Sequence, residues 1–251
     1  MSEPSPSDSF LGNVGAKERD LSGPLTVAPE ITLDAGAGDF ARGDEKLLRQ
    51  GGPGARVALL RERCLSVGVA IDARAPYLRR AALDGIPGIA RQTGGTGLLH
   101  APGDLAWSVV RRRDDPLVGK DFPRAYERLG QGVVRWLGAL GLAARWSPAP
   151  GLASEYCTLS NRGMVLTVEG RIVGGAAQHA VRGALLHHGT VSVDPIDRAA
   201  IDRYFAFAAP SPSERLAGLR ELGVNHPGPE LARGLAGAIS VDLPGEVSRG
   251  L

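Results

Sequence analysis

The chain has 251 residues, 43% hydrophobic and 22% charged, a composition that suits a globular protein with a substantial core. Its 29 basic residues nearly balance 27 acidic ones, and only 5% of the chain is aromatic. Neither a strong basic field nor a base-stacking platform is available, so no nucleic-acid partner is expected. No apolar run reaches the roughly 18 residues of a membrane-crossing helix, so no membrane partner is expected. The opening "MSEPSPSDSFLGN" lacks the basic and apolar regions of a secretory leader. Two cysteines, Cys64 and Cys157, are too few for a disulfide framework or a zinc site, so no metal is expected and the cytoplasm is the expected compartment.

In chain order, residues 1–28 are rich in Ser, Pro and Gly and read as a tail. "DFARGDEKLLRQ" predicts a helix that Asp39 caps and "GGPG" ends. "RVALLRE" and "CLSVGVAI" predict strands. "PYLRRAALDG" predicts a short helix stopped at Gly85, and "IPGIARQ" a further strand. Residues 121–142 carry Phe122, Tyr126, Leu129, Val133, Trp136, Leu137 and Leu140 at helical spacing. "GMVLTVEGRIVGGAAQ" predicts a hairpin turning at Glu169-Gly170, and Leu185 to Val193 another strand. Residues 195–208 read as helical. "APSPSE" is a linker before two short helices, 213–222 and 228–238. The pattern implies a mixed α/β (α+β) sheet domain over 29–208, with a linker and helical C-terminal extension over 209–251.

Three glycine-bearing segments could carry chemistry. "RQTGGTGLLH", Arg91 to His100, lets the backbone approach a ligand, although a plain turn accounts for it equally well. It lacks the GK[ST] ending of a P-loop and the spacing of a dinucleotide fingerprint. "GRIVGGAAQ" and "HHGT" each lie beside a predicted strand. Cys157 lies in "SEYCTLSNRG", which reads as a polar loop, with arginines and histidines that could make its setting electropositive, whereas Cys64 reads as core.

Together and in this order, the segments resemble the biotin/lipoate protein ligase superfamily over about Asp39 to Tyr204. "DFARGDEKLL" resembles its opening helix and "VALLRERCLSVGVA" its first strand pair. "GIPGIARQTGGTGLLHAPGDLAWSVV" resembles its arginine-glycine motif, and "VEGRIVGGAAQ" and "LLHHGTVSVD" its hairpin and following strand. The resemblance is nearest to cysteine-dependent octanoyl/lipoyl protein transferases of the LipM type, whose nucleophile precedes the "EGR" turn by about a dozen residues, as Cys157 does. It implies catalysis by Cys157 with help from His188. It implies acyl and substrate binding by Arg91, Thr93, Gly94, Gly95, Thr96, Gly97 and His100, by Ile172, Gly174, Gly175 and Gln178, and by Gly189 and Thr190. Leu98, Leu99 and Val173 would line an acyl tunnel. Backbone N–H groups of Gly174-Gly175 or Gly94-Gly95 would hold the oxyanion.

The implied partners are acyl-carrier protein or another acylated donor, and a lipoyl carrier domain or glycine-cleavage H protein as acceptor. A transferase needs no cofactor, whereas a ligase of this family needs ATP and Mg. One departure bears on that choice. The family's hairpin lysine is replaced by Ile172, and no lysine follows Lys120. A preorganised donor of that kind is worth on the order of 3 kcal/mol in a transition state. Three readings stay open: a divergent transferase, a non-catalytic acyl- or carrier-binding relative, and an ATP-dependent ligase.

Overall fold

The computed structural model describes residues 28–240 apart from 52, 120, 161–162, 182 and 208–210. The tail expected over residues 1–28 lies outside the described residues save for Ala28.

The chain folds as a mixed α/β domain on two sheets. The larger has seven strands in the order β1-β2-β6-β10-β9-β8-β7: β1 (Glu30–Ala35), β2 (Gly54–Leu60), β6 (Leu105–Arg112), β10 (Ala184–Val191), β9 (Arg171–Val181), β8 (Met164–Val168) and β7 (Ala144–Pro148). Only the β1–β2 pair is parallel among its neighbours. The smaller sheet has the order β4-β3-β5, from β4 (Gly88–Ala90), β3 (Cys64–Val67) and β5 (Gly97–His100).

Strand alternation sends successive side chains to opposite faces, and both faces of the large sheet are covered. Val57, Trp107, Val109 and Leu185 pack with Leu129, Val133 and Leu137 of α3 (Phe122–Ala139) and Leu231 and Leu235 of α6 (Gly228–Ser240). Their neighbours Ala58 and Ala106 pack instead with Phe40, and Val110 and Leu186 with Leu47, both of α1 (Ala37–Gln50). Double coverage explains why these strands read as continuous apolar runs.

The expected hairpin turn is present. Glu169 and Gly170 both have positive φ, 50° and 78°, as a two-residue turn matched to strand twist requires. The expected cap of α1 is corrected. Gly36 is the N-cap, and Asp39 sits a turn inside, its carboxylate accepting the Gly36 N–H at 2.9 Å. Strands β1 and β7 have no counterpart in the sequence reading. Both are edge strands, short and half polar, so they lack a buried-strand pattern.

The C-terminal segment is helical as expected, with two 3-10 turns, Pro212–Arg215 and Leu219–Leu222, ahead of α6. It is joined to the sheet domain: Ala217 N–H donates to the Ile172 carbonyl at 2.8 Å, and the apolar face of α6 shares the core of α3.

Candidate active site

The glycine-bearing loop between β4 and β5 is pinned from within by Arg91. Its guanidinium is 6% exposed. It donates to the Ser66 carbonyl (2.9 Å) and hydroxyl (2.8 Å) and to the carbonyls of Gly94 (3.1 Å) and Thr96 (3.0 Å). The same guanidinium stands 3.9 Å from Cys157 Sγ. Among the described residues no carboxylate pairs with it. Burial lowers the Arg91 pKa, and the nearby Cys157 and Tyr77 oppose that shift.

Because Ser66 Oγ accepts from Arg91, its own proton goes to His100 Nε2 at 2.7 Å. His100 is thereby held neutral; burial first, then Arg91 and His188, push its pKa down to about 3.

Cys157 is the first residue of the one-turn helix α4 (Cys157–Ser160), half-buried, whereas Cys64 is core as expected. Cys157 therefore stands on a helical turn after the buried Tyr156, not in a polar loop. It borders a cleft walled by Phe40, Leu98, His100, Val165, Ala177 and His188. The walls are mostly apolar, as those of small-molecule pockets are. Phe40 stacks on His188 and meets His100 at a tilt, with ring centroids 6.3 and 5.5 Å away.

His188 is bonded at both ring nitrogens, Nδ1 to Asp44 at 2.5 Å and Nε2 to Thr93 Oγ1 at 2.8 Å. Asp44 also accepts the Ser108 hydroxyl and lies 3.9 Å from the Arg56 guanidinium. Burial would raise the Asp44 carboxyl, but His188, Arg56 and Ser108 outweigh it and hold its pKa below the usual range. His187 points the other way. It is wholly buried against Trp107, Tyr126 and Trp146 on the α3 side, so it takes no part in the cleft.

Asp44 escaped the sequence reading, yet the sequence carries a signal for it. Ala37, Phe40, Asp44 and Leu47 form the buried stripe of α1, so an acid occupies an apolar position. Ser66 and Thr158 carried no such signal.

The remaining predicted residues divide into groups. Gly175, Gly189 and Thr190 line the Cys157 cleft with Arg91, Leu98 and His100. Ile172, Val173, Gly174 and Leu99 line an adjoining cavity, which shares Leu98, His100, Thr158 and Thr190 with the cleft. Ile172 is 5% exposed and packed among Tyr156, Leu159 and Leu216. Thr93 is fully buried behind the wall, Thr96 bonds Ser160 (3.2 Å), and Gly97 N–H donates to the Glu155 carbonyl (3.1 Å). Gly94 and Gly95 form the loop that Arg91 holds and do not border the cleft. Gln178 stands opposite His187 in the β9–β10 register, also away from the cleft. The expected oxyanion donors are corrected too. The Gly174-Gly175 backbone is laddered to β8 on one side and β10 on the other, so its N–H groups run along the sheet.

Among the described residues no helix is long and apolar enough to cross a membrane.

The chain is similar to known proteins in sequence and in fold. Residues 45–224 match the family model for the lipoyl protein ligase A/B catalytic domain. Octanoyltransferase LipM of Bacillus cereus is 33% identical over 138 residues, covering 51% of this chain and 47% of that protein. Octanoyltransferase LipM of Bacillus subtilis is 32% identical over 138 residues, with the same two coverages, 51% and 47%. The chain thus spans about half the length of the curated relatives it matches. In fold, it resembles a crystal structure of lipoate-protein ligase A bound with ATP, with a TM-score of 0.67 and 23% identity over 85% of each chain. It also resembles the bi-partite lipoate protein ligase of Thermoplasma acidophilum, with a TM-score of 0.64 and 21% identity over 85% of this chain and 82% of that one. The chain belongs to the lipoyl protein ligase A/B catalytic domain family.

Proposed function

We propose that this chain is a protein acyltransferase. Cys157 takes an octanoyl or lipoyl group from a thioester donor, such as acyl-carrier protein, and passes it to a lysine of a lipoyl carrier domain or glycine-cleavage H protein. The observation that carries this reading is the pairing of Cys157 Sγ with a buried guanidinium, 3.9 Å away, at the edge of an apolar cleft. A buried cation without a carboxylate is costly, and the Cys157 sulfur is the nucleophilic atom that this cation faces.

The steps follow from that pairing. The thiolate attacks the acyl carbon, and the carbonyl electron pair moves to oxygen. The tetrahedral species collapses, breaking the bond to the donor sulfur, which leaves as a thiolate and takes a proton from solvent. The acceptor amine then attacks the Cys157 thioester, gives up one proton to solvent and expels the Cys157 thiolate back to Arg91. Exchange of a thioester for an amide is downhill, so no nucleotide is consumed. His188, held at both nitrogens by Asp44 and Thr93, is a positioning residue that fixes the cleft wall and the glycine loop.

A nucleotide phosphate does not fit the donor set beside the cleft. Where the family's lysine would stand, Ile172 is packed with Leu216 and Tyr156, so no step runs through ATP.

The test is incubation with octanoyl-acyl-carrier protein followed by intact mass measurement. A hydroxylamine-labile octanoyl adduct, absent in Cys157→Ala, is expected. No adduct from folded protein and intact donor would sink the transferase reading in favour of an acyl- or carrier-binding relative. ATP–pyrophosphate exchange dependent on lipoate would select a ligase instead.

A further inference from the structure

We propose that the Thr158 hydroxyl is the group that hydrogen-bonds the acyl carbonyl oxygen as it becomes an oxyanion; this rests on Cys157 being the nucleophile. Thr158 follows Cys157 directly on the α4 turn and is 6% exposed. Its Oγ1 has no hydrogen-bond partner among the described residues. The other buried polar atoms in that position, on Trp107, Trp146 and His187 among them, belong to side chains that do not line the cleft; the Tyr77 hydroxyl is within electrostatic reach of Cys157 but does not line it either. Thr158 alone of that set borders it, and it also borders the Ile172 cavity.

The site is shaped to hold this side chain. The Thr158 methyl rests on Gly175, where a Cβ would come within 2.9 Å of it, so glycine there is what allows the approach. Two strong donors on these walls are engaged: Arg91 by Ser66, Gly94 and Thr96, and the His188 Nδ1–H by Asp44, while His100 Nε2 accepts from Ser66. A buried hydroxyl without a partner is destabilising, and an acyl oxygen seated beside Cys157 relieves it. Ile172, which offers no donor, lines the same junction, so Thr158 fills a role that its neighbour cannot.

When Sγ bonds to the acyl carbon, the carbonyl pair becomes a lone pair on oxygen, and Thr158 donates to that oxygen while keeping its own proton. The bond to the donor sulfur then breaks and the carbonyl re-forms. The same contact serves when the acceptor amine attacks.

The experiment compares Thr158→Val, which keeps the shape and removes the hydroxyl, with Thr158→Ser, which keeps the hydroxyl. Acylation of Cys157 by octanoyl-acyl-carrier protein should slow on the order of 10²-fold in the valine variant and only a few-fold in the serine variant. Alkylation by iodoacetamide, a displacement that forms no oxyanion, should be unchanged in both. Equal acylation rates in the wild type and the valine variant would overturn the role of Thr158 and leave that of Cys157 standing. Parallel loss of acylation and alkylation would overturn it as well, by tracing the effect to the nucleophile. A wild type that is never acylated would overturn the reading of Cys157 and this one with it.

Discussion

Removing the Asp44 carboxylate should unfasten the cleft wall. In Asp44→Ala the His188 Nδ1–H loses its acceptor, the Ser108 hydroxyl loses its own, and Arg56, 6% exposed, loses the only carboxylate near it among the described residues. Breaking one buried charged pair costs about 3–5 kcal/mol. In a chain of this size each kcal/mol moves the melting temperature by about 2–4 °C, so a fall of roughly 6–20 °C is expected. Asp44→Asn keeps the shape and an acceptor for Ser108. His188 can then move its proton to Nε2 and donate to Thr93, so the loss should be nearer 1–2 kcal/mol, about the worth of one hydrogen bond. Urea titrations of Asp44→Ala, His188→Ala and the double variant measure the coupling. The single losses should exceed additivity by about 1 kcal/mol or more. A drop under about 1 kcal/mol in Asp44→Ala, or strict additivity, would refute the network as a structural unit.

Ile172→Lys would bury an ammonium among Tyr156, Leu159 and Leu216, so it should cost several kcal/mol and not raise the acylation rate; faster acylation would show that the site still accommodates the family's cation. The His187 imidazole, pushed down to about 3 by burial and then by His188, titrates near ~6.5 in the unfolded chain. Stability is therefore full above that pH and falls by about 1.4 kcal/mol per unit as the pH drops below it. His100 adds a slope of the same sign. Asp104, pushed up to about 7 by burial, opposes both, because the folded form holds its proton more tightly. His187→Phe should flatten the net acid loss in denaturant titrations between about pH 7 and 5; an unchanged slope would contradict the assignment. Iodoacetamide at neutral pH should modify Cys157 and spare Cys64, whose thiol is pushed up to about 12 by burial, then by Asp104 and Glu62. Peptide mapping that finds Cys64 alkylated in folded protein would contradict it.

Much of the fold is legible in the chain itself, wherever one short segment carries the whole signal. The Glu169-Gly170 turn needs only two residues that accept positive φ. Helix α3 declares itself by the spacing of Leu129, Val133, Trp136 and Leu137. Cys64 reads as core because strand-forming residues flank it. The order of the glycine-bearing segments was enough to indicate the family.

The tertiary structure decided what depends on which faces meet. Alternation alone puts His187 and His188 on opposite faces, but only packing shows that His188 faces the cleft and His187 lies under α3. The partner of His188 is Asp44, 144 positions away, and that of Cys157 is Arg91, 66 positions away. Edge strands β1 and β7 exist because a neighbour offers its ladder, not because of their own pattern. Thr158 looks like any polar residue until Gly175 and the two cavities close around it. Propensity and periodicity act over a few residues, whereas a buried donor's need for a partner is settled only when distant elements have removed water from it.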